Sequence, residues 1–199
     1  MRVGKGVTGL VAAACASVLL MPSPAVAAQA PETKPDSHCA MNVETGGVTC
    51  YDTFRESVAA ATGGRITDAP APEKAAKDKR FLAKLNAPSR ERARAGAAGV
   101  NSRAAKSVVR GVLYEHAHYE GNSWTLYGPR WCKNDGQWDG WLETLGGWGN
   151  TISSLIPAND CYIDLFSDPY FQGASQLYTS STPYVGHAMN DQASSLGLT

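Results

Sequence analysis

The chain has 199 residues with 18 basic and 18 acidic side chains, and its zero net charge conceals a division. Residues 65–110 hold twelve Lys or Arg against four Asp or Glu, a balance of +8, whereas residues 111–199 hold two against nine, a balance of −7. Such asymmetry marks separate regions more than a partner, and a single apolar run, too short to cross a bilayer, argues against an integral membrane protein.

Arg2 and Lys5 precede the apolar stretch Val7 to Leu20, which breaks at Met21-Pro22-Ser23-Pro24 before Ala25-Val26-Ala27. This is the pattern of a secretory signal, residues 1–27, cut after an A-x-A site, and it implies a secreted, extracellular protein. Cys15 lies inside the run and is discarded with it, a lipoprotein being the alternative reading. Four cysteines remain, Cys39, Cys50, Cys132 and Cys161, an even number in an export context where disulfides persist. Three connectivities exist. Cys39 and Cys50 flank a predicted hairpin, which favours their pairing and leaves Cys132 with Cys161; a zinc site lacks any C-x2-C pair.

Residues 28–66 follow a polar leader with the hairpin CAMNVETGGVTC, turning at Thr45-Gly46-Gly47, and a short helix. Thr53 and Glu56 fit a capping box that opens the helix, and Gly63-Gly64 ends it. Residues 67–110 are Ala-rich and basic, with one amphipathic helix predicted over Glu73–Leu85 and a solvated linker beyond; a basic arm for an anionic polymer lacks the aromatic support that nucleic-acid binding uses. All five tryptophans and seven of eight tyrosines lie after Gly111. Short aromatic runs punctuated by turn residues over 111–199 predict an antiparallel sandwich.

That region contains a repeat. Tyr114, Tyr119 and Gly121 stand in the spacing aromatic-x4-aromatic-x-Gly, and Phe166, Phe171 and Gly173 repeat it. The first copy closes on Gly149-Asn150-Thr151-Ile152-Ser153-Ser154 and the second on Asn190-Asp191-Gln192-Ala193-Ser194-Ser195. Tyr114 to Ser154 is forty positions and Phe166 to Ser195 twenty-nine, a difference that fits an insertion near Arg130 to Trp141. Two copies of one motif with both ends in register predict a pair of Greek keys burying their apolar faces together.

In these two features the chain resembles the βγ-crystallin superfamily; its N-terminal region is similar to the leaders of secreted actinobacterial proteins with such modules, and the Streptomyces metalloproteinase inhibitor is similar in fold. The resemblance covers residues 111–199 and implies an all-β double Greek-key sandwich. In calcium-binding members the loop offers a side-chain oxygen at its second position, the next carbonyl and the fifth-position hydroxyl. Carried over, these are Asp191, the Gln192 carbonyl and Ser194 in one loop, and Asn150, the Thr151 carbonyl and Ser153 in the other, with Glu120 and Gln172 contributing from the hairpins. The resemblance implies one or two Ca2+ sites, weaker at the loop where Gly149 replaces an Asn or Asp. The bland reading is that Asn, Asp and Ser brace the loops through backbone bonds.

His116 and His118 are placed on one strand face, where two imidazoles without a third ligand read as surface residues. Trp131, Trp138 and Trp141 in the insertion are candidate contacts for a protein or another ligand, with a secreted protease as the partner implied by analogy and carbohydrate binding as a further alternative. The chain has no nucleophile elbow, no HExxH and no phosphate loop, so an enzyme is the least favoured class. The expectation is a monomeric, noncatalytic module with no nucleic-acid or membrane partner.

Overall fold

The computed structural model describes residues 36–87 and 107–199; the signal, most of the leader and the arginine-rich stretch 88–106 lie outside them. The N-terminal hairpin forms as expected, from β1 (His38–Asn42) and β2 (Val48–Tyr51), with Cys39 opposite Cys50 and bonded to it. Helix α1 (Phe54–Ala61) starts at Thr53, whose hydroxyl oxygen accepts from the Glu56 amide and whose hydroxyl donates to the Glu56 carboxylate. It ends where Gly63 and Gly64 turn left-handed and their amides reach back to the Ala60 and Ala59 carbonyls.

The predicted helix over Glu73–Leu85 is instead two, α2 (Pro72–Ala75) and α3 (Lys79–Leu85). Asp78 divides them: its carboxylate accepts from the amides of Arg80 and Phe81, which starts a new helix and turns Phe81 and Leu85 inward. The stretch expected to be a solvated linker lies almost wholly outside the described residues, but the part of the basic segment before it packs against the sheet. Ala69, Ala75, Phe81 and Leu85 are buried together with Phe54, Val58, Val109, Val112 and Tyr114. Buried Asn159 ties the segment down, donating through its side-chain amide to the Leu85 and Val109 carbonyls, each at 2.8 Å.

The repeat builds the rest. In its first copy β3 (Val108–His116) turns into β4 (Glu120–Gly128), followed by β5 (Gly140–Leu142) and β6 (Ser154–Pro157); in its second, β7 (Ile163–Asp168) turns into β8 (Gln172–Tyr178) and the chain ends on β9 (Ser195–Leu198). Both hairpin corners fold alike. His118 and Tyr119 adopt positive φ in the first, Tyr170 and Phe171 in the second, and the lead and second aromatics meet edge-on at 5.5 Å (Tyr114–Tyr119) and 5.8 Å (Phe166–Phe171). Gly121 and Gly173 follow with φ of 74° and 79°, and a Cβ on Gly173 would collide with the Ser167 hydroxyl.

One sheet has the order β2-β1-β4-β3-β6 and the other β5-β9-β7-β8. Each copy therefore lends a segment to the other copy's sheet: β5 pairs with β9, and Thr182 makes a bridge to Leu155 on β6. The result is an all-β double Greek-key sandwich whose inner core includes Leu113, Leu126, Leu155, Leu165 and Leu196. Trp124 is buried there and stacks on Trp148 with centroids 5.2 Å apart.

The structure departs from the separate units expected at 28–66, 67–110 and 111–199. β1 lies parallel to β4, with Cys39 opposite Trp124, so the hairpin extends the first sheet, and α1, α2 and α3 cover that sheet's outer face. The described residues together form one compact unit. The insertion is fastened by the Cys132–Cys161 disulfide and by Arg110, the extra residue of a bulge in β3.

Candidate metal-binding loops

The two loops that close the repeat copies come together because the Greek keys exchange strands. Asn150 and Asp191, at the second position of their loops, take positive φ (61° and 55°), a conformation that short polar side chains tolerate. The Asn150 amide donates to the Ala193 carbonyl at 2.8 Å, and the Asp191 amide donates to the Ile152 carbonyl at 3.2 Å. Each is a bond from the second position of one loop to the fourth of the other, so the pair has an approximate twofold symmetry.

The side chains follow the same rule. The Ser153 hydroxyl donates to the Asp191 carboxylate at 3.1 Å, and the Ser194 hydroxyl to the Asn150 side-chain carbonyl oxygen at 3.4 Å. Asp191, Gln192 and Ser194 were expected in one set, and Asn150, Thr151 and Ser153 in another. The structure exchanges the hydroxyls: Asp191 meets Ser153, and Asn150 meets Ser194. The two oxygen pairs differ in charge, since one includes a carboxylate and the other is neutral.

Asp191 and Gln192 are exposed, Thr151 is half-buried with its hydroxyl donating to the Trp148 carbonyl, and Ser153 is buried. Glu120 and Gln172 are exposed at the first positions of β4 and β8, and the Gln172 amide turns back to the Tyr170 carbonyl. The second serine of each loop has a separate task that sequence reasoning missed. Ser154 donates to the His116 carbonyl and accepts from the Tyr119 amide, while Ser195 donates to the Asp168 carbonyl and accepts from the Phe171 amide. These hydroxyls lock each aromatic corner onto its own loop; their recurrence as the last residue of both loops is the signal that could have found them.

The donor set suits a hard cation. Hydroxyl, amide and carboxylate oxygens are calcium ligands, and Asp191 and Asn150 are the exposed members of the two pairs. Among the described residues no group of three or more His, Cys, Asp or Glu is placed to hold a metal. His116 and His118 do not share a strand face: His118 lies in the corner with φ 63°, beyond the end of β3.

Tyr178 supports the first loop from the core. Its hydroxyl donates to the Val185 carbonyl at 2.7 Å, and the Val185 amide donates to the Ser153 carbonyl. Burial, with a smaller contribution from the Asp164 charge, pushes the Tyr178 pKa up to about 12. A raised tyrosine pKa gives stability that is complete below the ordinary value of about 10 and is lost as pH climbs towards 12. Denaturant titrations from pH 9 to 12 are expected to show that decline, with a shallower slope in Tyr178→Phe.

No protein-family model matches the chain, and no curated protein matches it. Solved structures similar to it include a betagamma-crystallin domain from Clostridium beijerinckii at 27% identity, covering 45% of this chain and 95% of that one, with a TM-score of 0.35. A betagamma-crystallin domain from Flavobacterium johnsoniae is 23% identical (45% and 93% covered, TM-score 0.35), and the N-terminal domain of Protein S is 16% identical over the same shares, at the same score. The exchanged strands, the paired aromatic corners and the crossed loops decide the architecture. The fold is βγ-crystallin-like. Residues 36–87 supply this βγ-crystallin-like sandwich with an added edge hairpin and a helical layer.

Proposed function

We propose that the protein is a noncatalytic module that acts outside the cell, binds calcium through its crossed loops and is stabilised by it. The observation that carries this reading is the approach of Asp191 and Ser153 from opposite loops to 3.1 Å. A cation there would tie the two repeat copies together, because each oxygen belongs to a different copy. The Asp191–Ser153 pair is the stronger site, since its carboxylate adds charge that the Asn150–Ser194 pair lacks. With one formal charge among these ligands, affinity falls in roughly the 10⁻⁵ to 10⁻³ M range. Bound calcium supplies only electrostatic bridging; the chain's own residues orient the oxygens and hold the loops.

Calorimetric titration of the intact chain is expected to show saturable calcium binding that Asp191→Ala abolishes at the stronger site. Calcium at a hundred times Kd stabilises by about 2.7 kcal/mol, which for a chain of this size raises the melting temperature by roughly 5–10 °C. Flat heats and an unchanged melting temperature would leave these oxygens as loop braces alone.

The insertion supports a second reading, an inhibitor of secreted metalloproteases. Its exposed tip, residues 133–137, is held between the Cys132–Cys161 disulfide and the Asp139 carbonyl, which accepts from Arg110 at 2.8 Å. A segment held in this way loses little freedom on binding. Whether the intact chain slows a thermolysin-like protease is its direct check.

A further inference from the structure

The outer faces of the two sheets are treated differently. Helices α1, α2 and α3 cover the first, where Phe54 lies 6.0 Å from Tyr114 at the aromatic corner. At the corresponding corner of the second sheet Trp138 takes that place, 5.7 Å from Phe166 and 4.5 Å from Phe171. It lies over Gly197, where an added Cβ would come within 2.6 Å of the indole. Trp138 therefore packs on the second sheet while staying half-buried, as is Trp131.

Past Trp138 the aromatic surface continues into solvent, with Trp141 51% exposed and Tyr170 62% exposed. An open groove of about 590 Å³ is lined by Gly136, Gln137, Trp138, Trp141, Glu143 and Phe171. Tyr170 is held beside it, its amide donating to the Glu143 carbonyl at 2.8 Å. Trp141 stands on a fixed base: its neighbours Gly140 and Leu142 are buried, and β5 is paired with β9 on both sides of it.

We propose that this groove binds a neutral oligosaccharide, with Trp141 as the stacking platform. A pyranose ring has a flat face of C–H groups and a rim of hydroxyls. The face suits an exposed indole, which gains by burying apolar area. The rim needs hydrogen-bond partners, and Gln137 offers both a donor and an acceptor while Glu143 accepts. The charge of the lining selects the class of ligand, since one carboxylate and no Lys or Arg disfavour a phosphorylated, sulfated or acidic chain. The mixed polar and aromatic lining and the open shape also differ from the closed apolar pocket that anchors a protein side chain. Because Trp141 and Tyr170 are held by backbone pairing, little order has to be created on binding.

The test is titration of the intact chain with chitohexaose and, separately, cellohexaose, followed by tryptophan fluorescence and calorimetry, in EDTA and in calcium. At least one is expected to bind saturably. Trp141→Ala is expected to weaken that binding about tenfold or more, and Tyr170→Ala severalfold, with melting temperatures and calcium heats unchanged. Saturation by neither sugar, or Trp141→Ala binding as the parent does, overturns the proposal. So does protease inhibition that Trp141→Ala abolishes in the absence of any saccharide response, which would make the groove a protein contact.

Discussion

Replacing Phe54 with alanine is expected to destabilise the protein by about 3–5 kcal/mol, the range for emptying a buried phenyl site. Phe54 is 3% exposed and is packed between the helices and the first sheet, with ring centroids 6.0 Å from Tyr114, 6.2 Å from Phe81 and 6.0 Å from His38. It joins α1, α3, β1 and the first aromatic corner, so its removal leaves a cavity that four elements would have to close. Urea denaturation of the intact chain measures the cost, with Phe54→Leu as the milder control. A parent-like midpoint would mean that the helical layer only docks on a sandwich stable without it. The expected loss would place the helical layer within the protein's cooperative core. Alone, residues 107–199 would expose Val109, Val112 and Ile156 on one sheet face and leave β4 as an unpaired edge.

Arg110→Ala is expected to cost about 3 kcal/mol, and Glu44→Gln less than about 1 kcal/mol, although the two residues form an ion pair of 2.6 Å. The difference follows from burial: the Arg110 side chain is 1% exposed and that of Glu44 36%. Water can take over for the carboxylate, but the guanidinium also donates to the Arg130 carbonyl at 3.0 Å and the Asp139 carbonyl at 2.8 Å. Its loss leaves those carbonyls without their donor and opens a space between the hairpin and the insertion. Arg110→Lys is not a remedy, because one ammonium cannot reproduce a planar fork serving three acceptors. Equal losses for Arg110→Ala and Glu44→Gln in chemical denaturation would instead place the energy in the ion pair.

Much of the fold and part of the candidate site are determined by sequence alone, wherever the cause is local. The capping box at Thr53 and Glu56, the glycines that end α1, the hairpin between Cys39 and Cys50, and the two aromatic corners each depend on residues within a few positions of one another. The repeat spacing carries further, because two copies of one motif can bury their faces only against each other. Short-range rules also overreach. A continuous apolar stripe over Glu73–Leu85 predicts one helix, while Asp78 captures backbone amides and makes two. Composition gives no sign that Ala69 and Ala75 belong to a core, because small residues carry little hydrophobic signal, yet each is buried.

The tertiary structure decided what long-range exchange controls. Which hydroxyl meets which second-position oxygen depends on each Greek key lending a segment to the other sheet, and nothing within either loop records that exchange. Arg110 reads as the end of a basic run until a bulge turns its guanidinium inward to acceptors 20, 29 and 66 residues away. The open aromatic face at Trp141 and Tyr170 emerges in the same way: exposure depends on which sheet the N-terminal helices cover, and that is settled when β1 pairs with β4 and carries α1 onto the first sheet.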